Sequence, residues 1–370
     1  MKLILNSKAL LQCLLALKYS INESAVLPQL ANVLVVIAGK RMLLTTTDLR
    51  QTIIKETDIE AKDGFTFSVD HKALLKIVKN CSEQPLTISL KEKVLTVIGD
   101  DFVVNLEAAN GNDFPLTTEI APDTKETIFV SGETKSRLFS YLQQSLPFVS
   151  KDDLRPAMTG VHFSSKDNSL SIASTDAHML YFRDTNIAFA GTELVIPSSS
   201  VKAVLDVFKS VDFVKIERQQ NRLKVSSDNA TMFISLIETK YPNWRMILDS
   251  SLVTNKYSFV MVAKDMKRMV KFCNQFSSHC TNQIKMEIDG SIIIYSSGEE
   301  GSNAEVRAHI YEATNVAKLT IGFNGNFLLQ AINIFKDDYL KISTADSNVR
   351  AMIINDCLLI MPLMINDHTY

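Results

Sequence analysis

Apolar residues recur at helical spacing in six separate stretches of the chain, of which the first reads SKALLQCLLALKY. The stretches begin at Ser7, Asp70, Gly132, Ser198, Ala263 and Asn324, so their starts lie 63, 62, 66, 65 and 61 residues apart. Four of these first residues are of types that cap helix N-termini: Ser7, Asp70, Ser198 and Asn324. A period this constant predicts an internal repeat.

A short alternating or β-branched run precedes each predicted helix, and two or three further runs follow it. Residues 65–69 (FTFSV) precede the second helix, and residues 158–165 (MTGVHFSS), 169–176 (SLSIASTD) and 178–185 (HMLYFRDT) follow the third. Runs of this kind, separated by polar turns, predict strands. The repeating unit is therefore strand–helix–strand–strand–strand, used six times.

Pairs of these units predict an α+β protein of three similar domains. The expected domains are residues 1–121, 126–249 and 254–370, with seams at Thr117–Glu126 and Leu248–Lys256. Each domain is then about 125 residues long, an ordinary domain size. A generic three-domain protein with helices spaced by chance is the alternative, and the constant period disfavours it.

Composition narrows the functional classes. The chain has 370 residues, 46% hydrophobic and 22% charged, with a net charge of −2, so any basic surface must be local. Five scattered cysteines without a CxxC pair predict free thiols in a reducing compartment. The sequence contains no spacing typical of metal ligands and no run long enough to span a membrane. We therefore expect a cytoplasmic, soluble protein without a metal or cofactor.

The charge is distributed unevenly between the predicted helices and the rest of the chain. The six helical stretches together carry +10, so the remainder carries −12. A solvated helix face is the ordinary explanation of charged residues, but it does not explain one consistent sign. If all helices line one surface, that surface attracts phosphates without reading bases.

Helix dimensions decide whether such a surface can surround a duplex. Six helices about 9 Å apart leave a hole of only about 7 Å once the helix bodies are subtracted. Twelve helices leave about 25 Å, which admits a B-form duplex of roughly 20 Å. A ring therefore requires two chains, closed head to tail so that every sheet edge is paired.

The chain closes on CLLIMPLMINDHTY, in which Cys357–Ile365 is almost wholly apolar and contains Pro362. Chain ends are usually frayed and solvated. This ending is therefore either a last core strand or an apolar binding surface.

Seven short motifs carry a resemblance to a known family. They are LPQLANVLVVI (27–37), TTTDL (45–49), DFP (113–115), STDAHML (174–180), YPNWRMIL (241–248), IGFNGNFLLQAI (321–332) and MPLM (361–364). In this order and spacing, the chain resembles the bacterial sliding clamps, the beta subunits of DNA polymerase III, over essentially its whole length. The resemblance implies a non-catalytic, head-to-tail homodimeric ring that encircles double-stranded DNA and tethers the polymerase.

The resemblance also implies a pocket between the second and third domains for short linear motifs. Its partners would be the polymerase III catalytic subunit, the clamp loader, other polymerases and mismatch-repair proteins. Flexible methionines suit a site that accepts several partners. The residues expected in this pocket are Met158, Thr175, His178, Met179, Leu180, Pro242, Met246, Ile247, Leu359, Ile360, Met361, Pro362, Leu363 and Met364. Pro362 is expected to stop the strand at the rim.

The chain departs from the family at several positions. Met179 and Met364 stand where the family often has arginine, and Asn366–Tyr370 extend past the usual end, so the peptide preference is expected to differ. Ser24 and Ala157 replace a basic and an aromatic residue of the DNA-contacting loops. DNA contact is therefore expected from helix cations: Lys8, Lys72, Lys76, Lys135, Arg137, Lys202, Lys264, Lys267 and Lys271.

The resemblance places the first domain of one chain against the third domain of its partner. Basic side chains would face acidic ones, and Val104 and Phe276 would supply apolar contact. The residues expected at this interface are Lys72, Lys76, Lys79, Val104, Phe276, Glu299 and Glu300.

Two other functional classes remain as alternatives. An enzyme could use Asp48, Asp176 and His178 as acid–base groups, but the Thr-Asp dipeptide recurs at equivalent repeat positions, which fits turn chemistry. A protein-only scaffold could bind partner peptides without DNA, which the sequence pI of about 6.3 would allow.

Overall fold

The computed structural model describes residues 2–23, 26–61, 64–116, 126–255, 257–298, 302–314, 318–345 and 351–365. The chain forms two compact units. The first unit comprises residues 1–143, 163–170 and 186–238, and the second comprises residues 144–162, 171–185 and 239–370. The predicted three-domain division stays a prediction, and most of the seam Thr117–Glu126 lies outside the described residues.

The predicted strand–helix–strand–strand–strand order is confirmed six times. The first two copies are β1 (Lys2–Asn6), α1 (Ser7–Leu17), β2 (Asn32–Ala38), β3 (Arg41–Thr47) and β4 (Gln51–Asp58), then, after β5 (Glu60–Ala61), β6 (Phe65–Asp70), α2 (His71–Lys79), β7 (Pro85–Lys91), β8 (Val94–Ile98) and β9 (Val103–Asn110). The next two copies are β10 (Thr127–Ser131), α3 (Gly132–Ser145), β11 (Gly160–Lys166), β12 (Ser169–Thr175) and β13 (Met179–Ala188), then β14 (Leu194–Pro197), α4 (Ser198–Val207), β15 (Phe213–Gln219), β16 (Arg222–Ser226) and β17 (Ala230–Ser235).

The last two copies follow one helix that the periodicity did not predict, α5 (Trp244–Thr254). They are β18 (Tyr257–Val262), α6 (Ala263–Asn274), β19 (Gln283–Ile288), β20 (Ser291–Ser297) and β21 (Asn303–His309), then, after β22 (Glu312–Thr314), β23 (Leu319–Asn324), α7 (Gly325–Asn333), β24 (Tyr339–Thr344), β25 (Met352–Ile354) and β26 (Leu358–Ile360). Helix α5 lies between two copies, so it has no counterpart in the repeat that could have revealed it.

Two of the four predicted N-caps are confirmed. The Asp70 carboxylate accepts a hydrogen bond from the Ala73 amide at 2.6 Å. The Asn324 side chain accepts from the Asn326 and Phe327 amides at 2.9 and 3.2 Å. These bonds satisfy amides that have no partner within the helix.

The other two predicted caps are wrong by one residue. Asn6, not Ser7, caps α1, and its side chain accepts from the Lys8 amide at 2.8 Å. Pro197 precedes α4, and no side chain caps that helix at Ser198. In both places the last residue of the preceding strand already occupies the cap position.

All strand pairing is antiparallel wherever the register is defined. The first unit contains a 13-stranded sheet in the order β10–β15–β16–β17–β4–β3–β2–β6–β9–β8–β7–β1–β5. A nine-stranded sheet has the order β14–β11–β12–β13–β26–β25–β24–β18–β22, and a four-stranded sheet has the order β21–β20–β19–β23. Antiparallel sheets can be apolar on one face only, and β19 and β20 alternate accordingly.

The helices cover the apolar faces. In the first unit, the fully buried α1 side chains include Leu10, Leu14 and Leu17. In the second unit, one core cluster joins α6, α7 and both sheets, and includes Met266, Phe323 and Leu328. Among the described residues, no helix combines the length and the apolar character needed to cross a membrane.

Candidate functional site

The C-terminal strand of the second unit lies beside β13. Met179 pairs with Ile360, Leu180 with Leu359 and Tyr181 with Leu358. Leu and Ile suit this position because both faces of the strand are covered, and β26 is buried throughout. The apolar ending is therefore a core strand over 358–360, and the described residues that follow it, 361–365, are exposed or half-buried.

The chain changes partners at Pro362. The Met361 amide still donates to the His178 carbonyl at 2.9 Å, which extends the β13 pairing by one bond. Pro362 has no amide hydrogen and cannot continue the ladder. The next amide, of Leu363, donates at 2.8 Å to the Gly322 carbonyl in β23. The predicted stop is confirmed: β26 ends at Ile360 and the segment after it bridges two sheets.

Gly322 is needed for this bridge. A Cβ atom at that position would lie 2.8 Å from the Leu363 carbonyl oxygen, closer than real Cβ contacts. The Gln283 side-chain amide then donates to the Met364 carbonyl at 2.9 Å and fixes the last described residues. Sequence reasoning did not assign either residue to the site, because neither has chemistry of its own there.

A tight turn at residues 175–179 presents His178. The Thr175 hydroxyl donates to the Met179 carbonyl at 2.6 Å, and Asp176 accepts from the His178 and Met179 amides at 2.9 and 2.7 Å. Ala177 has a φ of +78°, a left-handed conformation that is strained for alanine. The His178 ring is exposed and stacks on Phe327 of α7 with centroids 5.1 Å apart.

The first unit contains the same turn. The Thr47 hydroxyl donates to the Gln51 carbonyl at 3.1 Å, Asp48 accepts from the Arg50 and Gln51 amides at 2.9 and 2.7 Å, and Leu49 has a φ of +72°. Both aspartates are therefore occupied by backbone amides. This geometry supports the interpretation of the Thr-Asp dipeptides as turn chemistry rather than acid–base groups.

Helix α5 is held against β13 by Trp244. This indole is buried, lies 6.1 Å from the Phe182 ring and donates from Nε1 to His162 Nδ1 at 3.2 Å. Arg245 stacks on the same indole at 4.3 Å and pairs with Asp184 of β13 at 3.1 Å. The anchored first turn then exposes the next two side chains, Met246 and Ile247.

The predicted pocket residues fall into exposed, half-buried and buried groups. The exposed apolar side chains are Met246 (66%), Ile247 (44%), Met361 (37%) and Met364 (78%). Met158, Pro242, Pro362 and Leu363 are half-buried, and His178 is exposed. Thr175, Met179, Leu180, Leu359 and Ile360 are buried beneath them. Met179, at 1% exposure, belongs to the core cluster, so this predicted pocket residue is part of the interior.

Two buried cysteines are chemically inert. Burial raises the pKa of the Cys357 thiol to about 11, and burial raises the pKa of the Cys13 thiol to about 11 as well. Both thiols are therefore protonated at neutral pH and lack the thiolate that acts as a nucleophile.

The predicted DNA-facing cations lie on four helices of the first unit and on α6. All but one are exposed: Lys8, Lys72, Lys76, Arg137, Lys202, Lys264, Lys267 and Lys271. Lys8 pairs with Glu83 at 3.1 Å and Lys72 pairs with Glu23 at 3.0 Å. These two pairs are exposed, and exposed ion pairs contribute little to stability.

Lys135 departs from this expectation. Its side chain is buried, and its ammonium group donates to the backbone carbonyls of Lys209, at 3.1 Å, and Val211. These bonds connect α3 to the segment that follows α4 within the first unit. Because its ammonium group is bound to carbonyls inside the protein, Lys135 is poorly placed to contact phosphate.

A groove of about 520 Å³ lies between α2 and β9, and two of the predicted interface residues, Lys76 and Val104, line it. Lys76, Ile77, Phe102, Val104 and Leu106 line it, and the lining is mainly apolar. In the second unit, Phe276 is half-buried beside the exposed Phe272, with ring centroids 5.3 Å apart. Glu299 and Glu300 lie outside the described residues.

Strands β9 and β21 are among those that leave one side without a ladder partner in the described part of the chain. In β9, residues 103–107 pair with β8. Its pairing with β6 is confined to residues 108–110, so residues 103–107 have a partner on one side only. Strand β21 ends the four-stranded sheet and pairs with β20 only.

Family comparisons agree on one group of proteins. The N-terminal domain of the DNA polymerase III beta subunit matches residues 1–118, and the central domain of the same subunit matches residues 135–243. A curated beta sliding clamp from Rickettsia bellii is 22% identical, covering 99% of this chain and all of the relative. The beta sliding clamp of Pseudomonas putida is 22% identical over 95% of both chains.

Solved structures of similar fold are sliding clamps as well. A sliding clamp from Pseudomonas aeruginosa bound to griselimycin superimposes with a TM-score of 0.91 at 20% identity, covering 99% of this chain and all of that one. The sliding clamp of Bacillus subtilis gives a TM-score of 0.89 at 17% identity with the same coverage. At these identities the superpositions establish the fold.

We predict that Asp176→Ala lowers the free energy of unfolding by about 1–2 kcal/mol, because two backbone amides lose their acceptor. Urea denaturation followed by circular dichroism measures this change. Asp176→Asn keeps an acceptor oxygen and is the matched control, while Asp48→Ala in the twin turn should cost a similar amount. A wild-type midpoint for Asp176→Ala would contradict the role given to this carboxylate.

Proposed function

The chain belongs to the DNA polymerase III beta subunit family, the bacterial sliding clamps, and we propose that it encircles double-stranded DNA as a replicative processivity factor. The family is non-catalytic, so its contribution is to hold the polymerase on the template. The observation that carries the proposal is the sixfold repeat with net positive helices and a net negative remainder.

The repeat supports a ring of two copies. Six repeat helices per chain become twelve, enough for a hole of about 25 Å. A lining of Lys and Arg neutralises backbone phosphates without reading sequence, which lets a protein slide along DNA. Lys202, Lys264, Lys267 and Lys271 are exposed on their helices and available for such contacts. The five free cysteines fit a cytoplasmic location.

The test of this function is topological. We predict that the protein, placed on nicked circular duplex DNA by a clamp loader, stays with the DNA during gel filtration and leaves after the DNA is linearised. The nicked circle that has not been linearised, carried through the same steps, is the control. Equal retention on linear and circular DNA would contradict encirclement and indicate non-topological DNA binding. No retention on either DNA would favour a scaffold that binds peptides alone.

We propose that two copies close the ring through β9 of one and β21 of the other. Each strand offers an unpaired side among the described residues, and unpaired edges are templates for a strand of another chain. The groove beside Val104 has the volume and apolar lining to receive a ring such as Phe276 of a second copy. Lys72, Lys76 and Lys79 would face acidic residues across the seam. Head-to-tail contact at both ends gives a closed dimer.

For this interface, Phe276→Asp should convert the dimer to monomers, because a carboxylate cannot enter an apolar groove without losing its solvation. Sedimentation velocity measures the mass. Since Phe276 is half-buried, Val104→Asp on the opposite face serves as an independent variant, and Met246→Asp is the control expected to remain dimeric. A dimer mass for both interface variants would refute the seam.

We also propose that the second unit binds short linear motifs of polymerases, the clamp loader and repair proteins on its exposed apolar side chains. Met246 and Ile247 of α5 and Met361 and Met364 after β26 are carried by elements that contact the same strand, β13. Methionine side chains adapt to different partner shapes at little cost. The bridge at Leu363 holds the segment after Pro362 in place, so less ordering entropy is lost on binding.

We predict that a fluorescent peptide carrying a clamp-binding motif binds saturably to the wild type, as measured by anisotropy. Met246→Asp should weaken binding at least tenfold, and truncation before Met361 should abolish it. Val26→Asp changes an exposed apolar residue of the first unit and is the matched control. Unchanged affinity in Met246→Asp would move the peptide site elsewhere.

A further inference from the structure

A second cavity lies within the first unit, between helices α1 and α4 and the sheet beneath them. Its volume is about 520 Å³, within the range of small-ligand sites. Its lining is more polar than that of the groove beside β9. Gln12 and Cys13 come from α1, Ser210 follows α4, Lys55 is a buried residue of β4, and Asn229 is an exposed residue bonded to it.

Lys55 is the buried cation among the residues named for this cavity. Its side chain is 9% exposed, and its ammonium group donates to Asn229 Oδ1 at 3.1 Å. Among the described residues, no carboxylate lies within ion-pair distance of this ammonium group, which has three hydrogens to donate. Buried charges in proteins are normally paired, because an unpaired one is costly to remove from water.

The two carboxylates around the cavity are already engaged elsewhere. Asp206 accepts from the Tyr19 hydroxyl at 2.9 Å and pairs with Lys18 at 3.5 Å. Glu56 pairs with Arg41 at 3.2 Å. The charge of Lys55 is therefore not matched within the described part of the first unit.

We propose that this cavity binds a phosphate group, with the Lys55 ammonium as its charge partner and the Asn229, Gln12 and Ser210 side chains as polar neighbours. An ammonium group acts as a point charge toward a tetrahedral oxyanion, whereas planar carboxylates are matched better by the guanidinium fork of arginine. Amide and hydroxyl donors complete such a site without adding charge.

The titration behaviour of the two buried groups agrees with this geometry. Burial lowers the pKa of Lys55, and the smaller electrostatic effect of Cys13 opposes that shift. Burial raises the pKa of Cys13 to about 11, so the neighbouring thiol is neutral and is not the missing anion. A bound phosphate would supply the anion that pairs with Lys55.

Isothermal titration of the full-length protein with inorganic phosphate, at constant ionic strength set with chloride, tests the site. We expect saturable binding to the wild type that weakens at least tenfold in Lys55→Met. Lys40→Met removes an exposed lysine of the same unit and is the matched control. No saturable binding would mean a water-filled cavity only, and binding that survives Lys55→Met would place the phosphate elsewhere; either result overturns the proposal.

A second variant protects the test against misfolding. Ser210 is exposed at the cavity, so Ser210→Asp should fold normally. Its added negative charge should weaken phosphate binding at least tenfold, whereas the neutral Ser210→Asn should keep the wild-type affinity. Equal affinities of the two variants would contradict the site. Competition then identifies the source of the phosphate. Displacement by duplex DNA would make the ligand a backbone phosphate, and persistence in its presence would make it a small molecule. Neither result depends on whether the ring forms.

Discussion

Antiparallel pairing between strands far apart in the chain is the interaction on which the remaining structure depends. In the first unit, Gln51–Lys55 of β4 pair with Ala230–Ile234 of β17 and so join separate repeats into one 13-stranded sheet. In the second unit, Met179–Tyr181 pair with Leu358–Ile360. Each pairing satisfies backbone groups that would be costly to bury alone, and the apolar face it creates requires a layer of helices.

The site in the second unit depends on that pairing. Strand β13 carries β26 along one side and receives α5 through Trp244, so one strand positions two elements that are more than 100 residues apart in sequence. Pro362 then releases the chain from one sheet, and Gly322 gives it room to reach another. A proline and a glycine without reactive groups thus decide where the exposed methionines lie.

The twin turns at Thr47–Gln51 and Thr175–Met179 show how a repeat diverges while its geometry is kept. The hydrogen bonds of Thr and Asp are the same in both turns, and both hold a non-glycine residue at positive φ. The exposed third and fourth residues are free to differ, and only the second turn presents a histidine, which stacks on Phe327. Local chemistry therefore keeps the backbone of the two turns alike, while their surfaces differ.

The sequence by itself determined the six repeats, the type and order of their elements, the cap at Asp70, the stop at Pro362 and the uneven charge. These are local properties, set by residue spacing and by single side chains acting within a few positions. Only the tertiary structure decided that Met179 is interior, that Lys135 bonds to carbonyls near α4, and that Lys55 faces a cavity without a counter-ion among the described residues. Burial and pairing depend on residues far away in the chain, which local patterns do not encode.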